Sequence, residues 1–214
     1  MAMSHKGQGT AGRFGLLAEV RAYWEGLRHG VALPQRDQID PRGIAGALEN
    51  TFLLERIAPG IARFRLAGMQ LHDLMGMDVR GMPLSALIEP AGRNRLAEGL
   101  ETVFAAPGIT EIWLEGERGI GRPALEGRML LLPLLSNRGQ SDLALGCLAL
   151  DGALGRAPRR FAIAGLMHEA LAPRALPAPA LARQPGLAEP SAALTPDAPR
   201  PPRGKPNLRL VHSR

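Results

Sequence analysis

Residues 25–44 read E-G-L-R-H-G-V-A-L-P-Q-R-D-Q-I-D-P-R-G-I, and the breakers in this stretch divide it into a helix end, a stiff connection and a new helical start. Gly30 suits the left-handed residue that terminates a helix. Pro34 holds Leu33 extended, and Asp40 followed by Pro41 makes an N-cap with proline at the first helical position. None of these residues carries catalytic chemistry. The stretch marks the beginning of a small domain whose N-terminal helix is set apart from the remainder of the chain.

Upstream, Phe14, Leu17, Val20, Trp24 and Leu27 recur at steps of three and four, one stripe of a helix over residues 13–28. Glu19, Arg21, Glu25 and Arg28 take the opposite side. Such a stripe packs on its own domain or pairs with a second copy, and spacing alone leaves both open. Downstream, Ile44 and Leu48 form the apolar side of the short helix opened by Asp40. T-F-L-L-E-R and A-R-F-R-L-A-G read as strands joined by a tight turn at Pro59-Gly60. Gly68, Gly76 and Gly81 then break the chain into two or three short helical turns. Leu96, Leu100, Val103 and Phe104 mark a longer helix over 91–106, closed by Pro107-Gly108.

Three further strands follow, around Ile112, over 125–135 and over 143–150, the last two joined by the hairpin turn S-N-R-G-Q. In the first, Ile112 and Leu114 share one face, while Glu111, Trp113 and Glu115 share the other. The second and third are apolar on both faces, so the outer side of the sheet must also be covered. The helix carrying Trp24 is the expected cover. Gly116–Gly121 has a glycine-rich look without the Gly-Lys-Ser/Thr of a phosphate loop, and strands rather than a helix come after it, so it reads as a hairpin loop.

The motifs Tyr23-Trp24-Glu25-x-Leu27-Arg28, Leu33-Pro34-x-Arg36-x-x-Ile39-Asp40-Pro41 and Phe64-Arg65-Leu66-Ala67-Gly68, taken with this element order, resemble a bacterial family of stand-alone PAS-like proteins. The resemblance covers residues 13–170. It implies an α+β fold: a five-stranded antiparallel sheet with helices on one face, here with the amphipathic helix on the outer face. The corresponding division is a disordered N-terminus at 1–12, a helical cap at 13–50, a PAS-like domain at 51–171 and a disordered tail at 172–214. It also implies a non-catalytic sensory or regulatory role in signal transduction, exerted through protein contacts on a signalling partner such as a kinase, with homodimerisation expected.

Composition narrows the alternatives. The pI of 10.8 suggests nucleic acid until the charge is located. Residues 172–214 hold seven Lys or Arg and two Asp or Glu, which leaves residues 1–171 with 19 basic and 18 acidic side chains. A nearly neutral domain is not a specific nucleic-acid reader; a basic tail offers a transcriptional regulator only weak, salt-dependent binding. That tail has ten prolines in 43 residues, a composition that reads as disorder. Its final K-P-N-L-R-L-V-H-S-R regains some alternation and resembles either a solvated terminus or a short docking motif. One cysteine, Cys147, excludes an internal disulfide. With no signal peptide and no long apolar run, a cytoplasmic location is expected and no membrane contact.

The candidate site residues are few. A pocket between helices and sheet would be lined by Leu71, Leu74, Met75, Leu100 and Phe104 on one side and Ile112, Leu114, Met129, Leu131 and Cys147 on the other, with Arg65 or His72 as polar contacts. Such a lining is either simply core or the site of a small apolar ligand. Interface candidates are Leu17, Val20, Trp24, Leu27 and Trp113. No cofactor is expected. His72 comes too soon after the second strand for the haem-bearing helix that the resemblance implies, and Cys147 lies in a strand rather than in the helical motif of flavin-binding relatives. The five histidines are scattered without metal-ligand spacing, so no metal is expected either.

Overall fold

The computed structural model describes residues 14–28 and 32–171. The readings made for Gly30, residues 1–12 and the 172–214 tail lie outside the described residues. The helices are α1 (Gly15–Leu27), α2 (Met69–Met75) and α3 (Arg93–Phe104), with 3-10 segments at Arg36–Gln38, Pro41–Asn50, Leu84–Leu87 and Pro90–Gly92. The strands are β1 (Thr51–Ala58), β2 (Ile61–Ala67), β3 (Gly108–Gly116), β4 (Leu125–Leu134), β5 (Leu143–Gly152) and β6 (Phe161–Ala170). They form one antiparallel sheet in the order β2-β1-β5-β4-β3-β6.

The sheet therefore has six strands, not five. F-A-I-A-G-L-M-H-E-A, the segment of β6, carries three alanines and a mid-strand glycine, a weak strand signature on its own. Pairing with β3 supplies the order, from Phe161 opposite Gly116 to Ala170 opposite Gly108, with a bulge between Ile163 and Gly165. Gly165 lies against the Trp113 ring, whose Cε3 would stand 3.1 Å from any Cβ there.

Two apolar layers sandwich the sheet. On the inner side, Leu71, Leu74 and Met75 of α2 and Leu96, Leu100, Val103 and Phe104 of α3 pack on Phe52, Leu54, Ile112, Leu114, Met129 and Leu131. Phe52 and Phe64 meet edge to face at 5.4 Å, and the Phe52 ring occupies the place a Cβ of Gly146 would take. On the outer side, Leu17, Val20 and Trp24 of α1 are buried over Leu130, Leu132, Leu143, Leu145 and Cys147. The Trp24 indole N–H donates to the Pro133 carbonyl at 3.0 Å. The outer face is thus covered by the helix that its apolar pattern required. Each large side chain buried there contributes about 1.5–3 kcal/mol before ordering costs.

Arg159 closes the end of the sheet where β6 begins. It is fully buried; its guanidinium donates to the Leu154 carbonyl and, at 2.9 Å each, to the carbonyls of Glu117 and Pro123. Its backbone N–H reaches the Leu74 carbonyl at 3.0 Å. One side chain therefore ties the β3–β4 loop and the approach to β6 together, beside the end of α2.

Candidate functional site

The residues expected to line an interior pocket divide between the two layers. Leu71, Leu74, Met75, Leu100, Phe104, Ile112, Leu114, Met129 and Leu131 come together in the inner layer, where they pack against one another as core. Cys147 does not join them. Strand alternation puts it on the outer face with Leu145 and Ala149, beneath α1. Desolvation there pushes its thiol pKa up to about 12; the Thr51 hydroxyl partly offsets this and the Glu19 charge reinforces it. The two polar candidates also turn outward. His72 Nδ1 lies 3.8 Å from Asp78 Oδ1, and exposed Arg65 lies 3.6 Å from Glu55 Oε1.

Of the interface candidates, Leu17, Val20 and Trp24 are buried on the chain's own sheet, while Leu27 and Trp113 are half-buried. Arg128 lies over both Phe14, at 4.7 Å, and Trp113, at 5.8 Å. This stacking shields part of the mixed face of β3.

A groove of about 380 Å³ opens on the outer side, next to α1. Leu53 and Leu145 form its floor and Leu66 and Ala67 one wall; Ile39, Pro41, Ile44 and Leu48 form the other, with Arg36 and Asp37 at its rim. Ile44 and Leu48, the apolar side of the segment, both face the groove, but they are not equally buried. Ile44 is buried, but Leu48 keeps 46% of its surface exposed and Leu66 keeps 53%. Ten residues wound as a 3-10 rather than an α-helix, with a kink at Ile44, rotate Leu48 out of line.

The groove wall is held from three sides. The Asp40 carboxylate caps the Pro41–Asn50 segment by accepting from the Arg42 N–H at 2.9 Å. The Tyr23 hydroxyl accepts from the Asp40 N–H at 2.7 Å, and the Tyr23 ring fills the place where a Cβ of Gly43 would sit. Before the segment, Arg36 N–H donates to the Leu135 carbonyl, and Leu135 N–H to that of Pro34, both at 2.9 Å. The conformational roles of Asp40 and Pro41 were legible from residue type. The groove itself depends on register and on the 3-10 winding, neither of which has a sequence period.

Among the described residues, no three His, Cys, Asp or Glu side chains form a group able to hold a metal ion. No helix there is long and apolar enough to cross a membrane.

A family model described as PAS domain matches residues 16–149, more than half of the chain. The chain belongs to the PAS domain family. A PAS domain points to a sensory or signalling role, and such domains are typically sensory rather than catalytic. The match ends at Ala149 within β5, so β6 lies beyond the matched residues. The chain is also similar to the light-state structure of the blue-light photoreceptor Aureochrome1 LOV, at 14% identity and a TM-score of 0.38, covering 52% of this chain and 88% of that one. No curated protein matches this PAS protein.

Proposed function

We propose that this PAS protein is a non-catalytic cytoplasmic regulator that acts in signal transduction by docking a signalling partner, such as a kinase, at the outer groove. The observation that carries the reading is the solvent-open apolar lining of that groove, with Leu48 and Leu66 half exposed beside a buried floor. The inner layer, where PAS ligands are expected, is by contrast built from side chains packed on one another. Exposed apolar surface of this kind is the usual mark of a contact site. Regulation without haem or flavin accords with the outward placement of His72 and the outer-face placement of Cys147. A small apolar ligand seated in the groove, whose volume falls in the range of about 300–1,000 Å³ for such sites, would tune docking by occupying the same surface. The lone free thiol fits a reducing compartment.

The test is a Leu48→Glu and Leu66→Glu pair examined in the native host. Both side chains already face water, so thermal stability should move by no more than about 0.5 kcal/mol. The signalling output should be lost, together with photo-crosslinks placed at Ala67. Unchanged output and unchanged crosslinks would show that the groove is not the docking site.

A further inference from the structure

We propose that β6 is a self-association edge: two copies of this chain pair antiparallel along the second half of β6, centred on His168, and join their sheets into one. Among the described residues, β6 has β3 on one side and no strand on the other. Its first half is capped on that open side: the Phe161 carbonyl accepts from Glu89 N–H at 2.9 Å, and the Ile163 carbonyl from an Arg95 guanidinium N–H at 3.2 Å. Beyond the bulge, ladder alternation turns the N–H and C=O groups of Leu166, His168 and Ala170 away from β3. Two of the devices that blunt an edge, proline and lysine, are missing from this half, and Glu169 is its only formal charge besides the His168 ring.

Self-complementarity identifies the second copy as the occupant. Centring the pair on His168 uses all three outward residues of each chain, with Leu166 facing Ala170 of the other copy and His168 facing its equivalent. A centre at Met167 leaves Ala170 outside the matched set. The same register sets Met167, 47% exposed, across from Glu169, so the two glutamates do not meet. Glu169 also keeps its 2.7 Å ion pair with Arg21 of α1 on the outer face. Large therefore faces small on the inner side, and no like carboxylates are opposed.

Sedimentation equilibrium of the full chain tests this. The wild type should show a mass twice 22.8 kDa at 100 μM, and His168→Pro and Ala170→Pro should each weaken dimerisation at least tenfold. Both prolines remove an outward N–H and leave the β3 ladder intact, so circular dichroism should report folded protein; Ala170, at the exposed strand end, covers the case in which His168→Pro fails to fold. A Met167→Cys, Glu169→Cys variant should form intermolecular disulfides under mild oxidation, because in this register the two positions are directly opposed. Amide exchange at 166, 168 and 170 should quicken on dilution. A monomeric wild type, a dimer indifferent to both prolines, or protection at those amides that persists at every concentration would each overturn the proposal. The last outcome would mean that something other than a second copy covers the edge. None of these outcomes depends on the groove.

Discussion

Cys147 shows how much a single parity step decides. As part of L-A-L-G-C-L-A-L it belongs to a strand apolar on both faces, and sequence offers no means of telling the faces apart. Pairing with Thr51 and Leu130 settles it on the α1 side. Its raised pKa makes a definite expectation. The thiol should resist a disulfide reagent at pH 8 in the native protein, and Trp24→Ala, which removes the ring anchoring α1, should speed the reaction at least tenfold. Rapid labelling of the unaltered protein would place Cys147 at the surface. The linkage has a sign as well. The folded pKa is raised above the unfolded value of about 8.5, so this contribution is complete below that pH and fades as pH climbs toward 12.

At the level of elements, α3 is latched to the β1–β2 hairpin through one carboxylate. Glu101 accepts from Gly60 N–H at 2.6 Å and from the Arg56 guanidinium at 2.7 Å. The Gly60 hydrogen bond, the largest influence, outweighs desolvation and, with the Arg56 hydrogen bond and charge, holds its pKa below the ordinary glutamate range. A depressed folded pKa means stability that is present above the unfolded value of about 4.3 and is lost as pH falls through the folded one. Glu101→Gln should therefore lower the melting temperature at pH 7, and the gap to wild type should narrow in scans below about pH 4. A gap that widens in acid would reverse the assignment. Gly60 itself needs its positive φ of 68° for the turn, which Pro59-Gly60 announced in sequence. The helices were legible because a 3.6-residue period is directional: α1 and α3 lie within two residues of the 13–28 and 91–106 expectations. β6 was not, because its order comes from pairing with β3, from Gly116 opposite Phe161 to Gly108 opposite Ala170, rather than from its own composition.

Over the whole molecule, the sheet divides the apolar interior into two layers that share a backbone but few side-chain contacts. Leu17 sits in the outer layer and Leu100 in the inner. Each truncated to alanine should cost about 2–5 kcal/mol, and the double variant should show the sum within about 0.5 kcal/mol by urea denaturation. A coupling above about 1 kcal/mol would mean that the layers repack together. The need for two layers was itself readable, because strands apolar on both faces cannot leave one of them in water. What occupies each layer depended on register and on winding.

The seat of Tyr23 has a mechanical consequence. Its hydroxyl holds Asp40 and its ring replaces the missing side chain of Gly43, so the wall of the groove hangs from α1. A helix and a groove joined in this way move as a lever and its load. A tilt of α1 on the sheet carries Pro41 and Leu48 with it, so the width of the opening becomes a gauge of how the N-terminal helix sits.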